Sequence, residues 1–225
     1  MDIKQVGKPF VIGYGGGLNY FDGNHSRNFL MNKLKGWFFT YHIDNINGET
    51  RSGYYLFRLI KHLVDQKIIN SSDVQINLWG LIEKENEEQV RSMGIDHIVK
   101  ISGYLNRKES VAKLKECDVL FLPLESAKNA QRPLFIPGKL FEYLSLGKPI
   151  LAFADDSDVK NILEKSVLAT IASPFDMREC QEKLLFLLSN RHKLSSLFIK
   201  NESYVKENFD FDNLTKRLAE VFDKL

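Results

Sequence analysis

Several features of metal-dependent and hydrolytic enzymes are missing from this sequence of 225 residues. It has two cysteines, Cys117 and Cys180, and neither belongs to a CxxC pair. We therefore expect free thiols in a reducing compartment rather than a disulfide framework. The five histidines show no zinc-ligand spacing, and neither an HExxH nor a GxSxG motif occurs. The sequence thus gives no sign of a metal centre or a serine nucleophile, and we expect no cofactor.

Long apolar segments and a strong charge imbalance are also missing. No apolar run approaches the roughly 18 residues of a membrane-spanning helix. The first ten residues, MDIKQVGKPF, lack the apolar core of a signal peptide. The net charge of +2 argues against a dedicated nucleic-acid-binding protein. We expect a soluble, cytoplasmic protein without a nucleic-acid partner.

Strand-like and helix-like patterns alternate from about Trp37 onward. Predicted strands lie at 37–42, 74–80, 97–102, 119–123, 150–154 and 168–171. Predicted helices lie at 52–66, 83–94, 106–117, from about 138, at 156–166, 176–188, 191–199 and 212–224. This succession predicts an α/β fold, a Rossmann-like doubly wound parallel sheet with a C-terminal helical layer.

The first 35 residues fit this pattern less well. We interpret 1–35 as an interdomain linker-like segment outside the sheet, and 36–225 as the Rossmann-like domain. The glycines of GYGGG, residues 13–17, match neither GxGxxG nor a P-loop, and indicate a turn. Asp156-Ser157-Asp158 could hold a divalent cation, but the position directly after a strand favours a helix N-cap.

The strongest functional signal is IPGKLFEYLSLGKPI, residues 136–150. It follows the predicted strand 119–123, so the helix that begins near Gly138 has its N-terminus at the ligand-binding edge of the sheet. Free backbone N–H groups and the helix dipole favour a phosphate there, and Lys139 adds positive charge. Glu142, one turn later, can accept hydrogen bonds from both ribose hydroxyls. The segment predicts a nucleotide site, with a plain surface lysine and a solvated glutamate as the alternatives.

With these residues the sequence resembles a known family. PGKLFEYLSLGKPIL looks like the donor-binding signature of family 4 (group 1) retaining glycosyltransferases with the GT-B fold. VQINLWG, HIVKISGYLNRKESVAKLKECDVLFLPL and NFDFDNLTKRLAEVF fall in the family's order, so the resemblance covers most of the chain. It implies the C-terminal, donor-binding half of such an enzyme. The segment 1–35 then resembles the family's interdomain crossover.

The resemblance assigns a set of residues to the donor nucleotide. They are Arg51, Gly103, Tyr104, Leu105, Arg132, Gly138, Lys139, Leu140 and Glu142. In the family, the glutamate holds the ribose hydroxyls, the loop at Gly103 lines the base, and a basic group such as Arg51 faces the diphosphate. Two positions depart from the family pattern: Leu134 replaces a second glutamate, and no lysine closely follows Arg51. No catalytic residue is predicted.

The implied reaction is transfer of a sugar from a nucleotide-diphosphate donor to an acceptor, in polysaccharide or glycoconjugate synthesis. A helix N-terminus with arginine and lysine would stabilise the leaving diphosphate without a metal. The implied partners are the nucleotide sugar and an acceptor-binding N-terminal half or separate subunit, with peripheral membrane association of the complete enzyme. Two alternatives stay open: a non-catalytic nucleotide-sugar-binding or assembly module, and a fragment of a GT-B epimerase, which would need a histidine and carboxylate cluster.

Overall fold

The computed structural model describes residues 7–18, 46–127, 133, 135–194 and 197–224. Six strands form one parallel sheet in the order β4-β3-β1-β5-β7-β8, and β2 and β6 form a separate antiparallel pair. The strands are β1 Phe10–Gly15, β2 Ile46–Asn47, β3 Val74–Trp79, β4 Val99–Ser102, β5 Val119–Pro123, β6 Ser126–Ala127, β7 Ile150–Phe153 and β8 Ala169–Ala172. The predicted α/β Rossmann-like sheet is confirmed.

Helices cover both faces of this sheet. They are α1 Tyr54–Asp65, α2 Lys84–Ser92, α3 Arg107–Glu116, α4 Gly138–Leu146, α5 Asp158–Glu164, α6 Met177–Ser189, α7 Arg191–Leu194, α8 Leu197–Phe209 and α9 Phe211–Phe222. Helices α1, α2 and α6 pack on one face, and α3, α4 and α5 on the other. Strand residues alternate between the two cores: Phe121 joins the first, and Leu120 and Leu122 join the second.

Strand β1 is the main correction to the sequence interpretation. The stretch Phe10–Gly15 lies inside the sheet, between β3 and β5, although the segment 1–35 was expected outside it. Its apolar residues Phe10, Ile12 and Tyr14 are buried. Gly13 is part of the strand rather than of a turn, since it pairs with Asn77 of β3 and Leu120 of β5. A Cβ there would collide with the thiol of Cys117, so this strand position favours glycine. The predicted strand 37–42 lies outside the described residues.

The later elements agree closely with the predicted ones. A correction applies to 191–199, which was expected to be one helix and instead contains α7 and the beginning of α8. The Asp156-Ser157-Asp158 motif opens α5, and the Ser157 hydroxyl accepts a hydrogen bond from the Lys160 N–H at 3.1 Å. The N-cap interpretation of this motif is therefore confirmed. Cys117 and Cys180 are free, buried thiols, as expected.

An ion pair ties the C-terminal helices to the sheet. The Arg191 guanidinium, at the start of α7, donates to both carboxylate oxygens of Asp118 at 2.8 and 2.9 Å. It also donates to the carbonyl oxygens of Lys8 and Pro9. The Asp118 carboxylate in turn accepts the Val11 N–H at 2.8 Å. One aspartate thus joins β1, the start of β5 and the helical layer.

The last helix, α9, has no buried residue. Its apolar side chains Phe211, Leu214, Leu218, Val221 and Phe222 are all exposed. Among the residues described, no helix combines the length and the apolar character needed to cross a membrane.

Candidate functional site

The candidate site lies at the carboxyl edge of the parallel strands, where ligands bind in open α/β sheets. Strand β1 leaves the sheet through Gly15-Gly16-Gly17, which we call the glycine loop. Gly16 has φ +135° and Gly80, directly after β3, has φ +117°. A Cβ on Gly80 would lie 2.9 Å from the carbonyl carbon of Gly16. The two chain segments therefore cross in a contact that only glycine permits at Gly80.

A pocket of about 270 Å³ opens above this crossing, and we call it the glycine-loop pocket. Besides the glycine loop, its walls include Trp79, Tyr104, Leu105, Lys139 and Glu142. Tyr104 is 76% exposed, so its ring offers an accessible flat surface at the pocket edge. The structure brings together four of the residues predicted for the donor nucleotide: Tyr104, Leu105, Lys139 and Glu142.

Gly103 and Leu140, which were also predicted for the donor nucleotide, are not among the residues that line this pocket. The Gly103 carbonyl accepts a hydrogen bond from the Gly80 N–H at 3.2 Å and so helps to hold Gly80 against the glycine loop. The Leu140 side chain is fully buried in the core, and its N–H donates to the carbonyl of Pro137 at 3.0 Å. Both groups of Leu140 are thus engaged within the protein, and its assignment to donor binding stays a prediction from the resemblance.

Helix α4 presents its N-terminus to the site. Its N-cap is Pro137, which provides no side-chain cap for the first N–H groups. Leu140, Tyr143 and Leu144 anchor the helix in the core, and Lys139 and Glu142 line the glycine-loop pocket beside this buried face. The uncapped N–H groups and the dipole of the helix favour an anion at Gly138.

Lys139 is held under the glycine loop rather than lying on the surface. Its ammonium donates to the carbonyl oxygen of Gly15 and lies 4.8 Å from the Tyr14 ring centroid and 5.7 Å from that of Tyr143. Burial lowers the pKa of Lys139, and the charge of Glu142 partly opposes this effect. The surface-lysine alternative is wrong. The ammonium is a partly desolvated cation, which attracts an anion more strongly than one in water.

Two tyrosines hold the same loop. The Tyr143 hydroxyl accepts a hydrogen bond from the Gly15 N–H at 3.3 Å, and the Tyr14 hydroxyl donates to the carbonyl of Gly17. Burial raises the pKa of both phenols, so they remain protonated in the neutral range. Together with Lys139 they fix the glycine loop against the first turns of α4.

A second cavity, of about 150 Å³, lies on the other side of the α4 N-terminus, and we call it the Arg51 cavity. Arg51 does not directly follow a strand of the main sheet, as the sequence suggested, but ends a short 3-10 turn after β2. Its Nη1 lies 3.6 Å from Oε2 of Glu125, and its guanidinium stacks 5.6 Å from the Phe135 ring centroid. The Ser126 N–H donates to the Thr50 hydroxyl at 3.0 Å, which ties this turn to β6.

The two pockets meet at two residues. Gly17 and Lys139 line both of them, and the Arg51 cavity adds Gly138.

Sequence reasoning missed the glycine loop, Trp79 and Glu125. Three consecutive glycines after an apolar run were the available signal for the loop, whereas nothing in the spacing places Glu125 beside Arg51. Arg132 lies outside the described residues.

No metal cluster is found in the part of the chain that the structure describes: no three His, Cys, Asp or Glu side chains there converge to hold an ion. The chemistry that these residues offer is electrostatic and hydrogen-bonding. Among the described residues it consists of a helix N-terminus, the partly buried Lys139 ammonium, two arginines and two carboxylates around the two connected pockets. The arginines are Arg51 and Arg107, and the carboxylates belong to Glu125 and Glu142.

No protein-family model matches the chain, and no curated protein matches it significantly. Solved structures do match. HepE from Anabaena in complex with UDP has a TM-score of 0.64 at 16% identity, with 97% of this chain and 50% of that chain covered. The galactosyltransferase WaaB of the lipopolysaccharide outer core, in its apo form, gives 0.61 at 15% identity, with 97% and 50% covered. Sucrose-phosphate synthase from Thermosynechococcus elongatus gives 0.63 at 11%, with 100% and 46% covered.

These neighbours are GT-B glycosyltransferases, and at such low identity they show a shared fold. HepE has also been crystallised with UDP-glucose. The chain spans about half the length of the structures it matches.

Proposed function

We propose that this chain binds a nucleotide-diphosphate sugar and forms the donor half of a family 4 type, retaining glycosyltransferase. One observation carries the proposal: Lys139 and Glu142 stand on the first turns of α4, at the carboxyl edge of a parallel sheet, on one pocket. A cation beside a helix N-terminus suits a diphosphate. A carboxylate one turn further suits a vicinal diol.

The order of groups around the pocket supports a specific placement of the nucleotide. The base lies near Tyr104 and Leu105, the ribose hydroxyls bond to Glu142, and the diphosphate lies at Gly138 and Lys139. No described residue donates a hydrogen bond to the Glu142 carboxylate, which leaves both oxygens available as acceptors. The fixed positive charge then stabilises the leaving diphosphate as the bond to the sugar breaks.

The acceptor site belongs to the rest of the enzyme in this proposal. The structural neighbours are about twice as long as the chain, so an N-terminal half or a partner subunit would bind the acceptor. We place the complete enzyme in polysaccharide or glycoconjugate synthesis in the cytoplasm, with peripheral membrane association. The isolated chain is expected to bind donor nucleotide and to transfer little sugar.

Calorimetric titration with UDP, GDP, ADP and CMP tests the proposal. We expect one nucleotide to bind, and Glu142→Ala to weaken that binding about tenfold, or about 1.4 kcal/mol. Glu182→Ala is the matched control, because Glu182 is an exposed helix glutamate that pairs only with Arg178 among the described residues. A folded chain that binds none of the four nucleotides, or equal losses for the two variants, would contradict the proposal.

A further inference from the structure

The Arg51 cavity continues the nucleotide site beyond the diphosphate. Its only residues in common with the glycine-loop pocket, among those described, are Gly17 and Lys139. In the proposed function, which this inference deepens, the diphosphate lies at Lys139 and the nucleoside fills the glycine-loop pocket. Whatever is attached to the far phosphate then enters the Arg51 cavity. We infer that this cavity holds the donor sugar and that Glu125 binds its hydroxyl groups.

Glu125 has the properties of a hydroxyl acceptor. Its side chain is only 16% exposed, and the nearest cationic atom, Nη1 of Arg51, lies 3.6 Å away. That distance exceeds the roughly 2.7–3.2 Å of an N–H···O hydrogen bond. None of the described residues donates a hydrogen bond to its carboxylate oxygens. A largely buried carboxylate without donors is costly, and the hydroxyl groups of a bound sugar would supply them.

The remaining walls suit the apolar faces of a sugar ring. The Phe135 side chain is 57% exposed and lies against the Arg51 guanidinium, while Leu122 and Pro123 contribute apolar surface. The volume of about 150 Å³ is well below the roughly 300–1,000 Å³ of sites for drug-sized ligands. This size limits the occupant to a small group, such as a single monosaccharide ring.

The charges favour a neutral sugar. Arg51 is already paired with Glu125, and a sugar carboxylate would meet the like charge of Glu125 at close range. A neutral hexose brings hydroxyl groups, which donate to the carboxylate and accept from the guanidinium. The inferred ligand class is a nucleotide-linked neutral hexose rather than a uronic acid.

The test compares each nucleoside diphosphate with its sugar conjugate on the same protein. We would titrate UDP against UDP-glucose and GDP against GDP-mannose, using wild type, Glu125→Gln and the control Glu182→Gln. We expect Glu125→Gln to weaken the conjugate about tenfold, or about 1.4 kcal/mol, and to change the Kd of the bare diphosphate by less than threefold. Glu182→Gln should change neither.

The outcomes separate this inference from the proposed function. Equal losses for diphosphate and conjugate, or no loss for either, would overturn the role of Glu125 while leaving the nucleotide site in place. Failure of the wild-type chain to bind any diphosphate would overturn both. Thermal unfolding shows whether Glu125→Gln is folded. If it is not, Phe135→Ala, at an exposed position of the same cavity, must show the same selective loss for the conjugate or the inference is wrong.

Discussion

The close contact between the glycine loop and Gly80 predicts that a side chain at position 80 destabilises the fold. Gly80 has φ +117°, outside the left-handed helical region, and a Cβ there would collide with the carbonyl oxygen of Gly16 and lie 2.9 Å from its carbonyl carbon. Strained backbone of this kind costs about 1–3 kcal/mol, and forcing extra atoms into a packed contact adds about 1–3 kcal/mol. We therefore expect Gly80→Ala to lower the free energy of unfolding by about 4 kcal/mol.

Gly94 provides a matched control. It follows α2 with φ +66°, and a Cβ there meets nothing within 4 Å. Gly94→Ala therefore carries the backbone strain alone, about 1 kcal/mol. For a chain of this size, about 1 kcal/mol shifts Tm by about 2–4 °C. The expected losses in Tm are then about 2–4 °C for Gly94→Ala and about 8–16 °C for Gly80→Ala.

Differential scanning calorimetry measures both shifts, and nucleotide titration adds a second reading. Gly16 lies against the Lys139 ammonium. Because Gly80→Ala displaces the glycine loop, that variant should bind nucleotide more weakly, whereas Gly94→Ala should bind it as the wild type does. Equal Tm shifts for the two variants would refute the steric reasoning. A large Tm shift with unaltered binding would show that the loop does not form part of the nucleotide site.

Two further predictions concern the core. Asp118→Asn should lower the free energy of unfolding by about 2–3 kcal/mol, measured by urea unfolding, because charge-assisted bonds from Arg191 and the Val11 N–H are weakened. The control Asp65→Asn, in an exposed pair with Lys61, should cost less than about 0.5 kcal/mol. Similar losses for both variants would contradict a stabilising role of the Asp118–Arg191 ion pair. Burial raises the pKa of Cys117 and of Cys180 to about 12, so both stay thiols at pH 8. Both should therefore react with Ellman's reagent roughly a thousandfold more slowly in the folded than in the urea-unfolded chain. Fast labelling of the folded chain would show that these thiols are accessible and ionised.

Much of the fold was predictable because it is local. The apolar spacing of α1, the Ser157 cap of α5 and the alternation of β3 are set by neighbours in sequence, and the structure has these elements at the predicted places. The positions of Lys139 and Glu142 on one helix turn also follow from sequence, since residues three apart on a helix share a face.

Strand β1 shows where local reasoning fails. FVIGYG is rich in glycine and sits among polar residues, which is the pattern of a turn. Those glycines serve a tertiary purpose, since Gly13 accommodates Cys117 and Gly15 accommodates the side chains of α3. Such packing partners come from segments about 100 residues away, so no window of the sequence contains them.

The sequence by itself determined the α/β class, the order of most helices and strands, and the helix that presents Lys139 and Glu142. Only the tertiary structure decided that β1 lies inside the sheet, that Lys139 is held under the glycine loop, and that Arg51 faces Glu125. The reason is physical: parallel strands are joined by long crossovers, so residues that meet at one edge of the sheet are distant in the chain. Their contacts are fixed by strand order, which local periodicity does not encode.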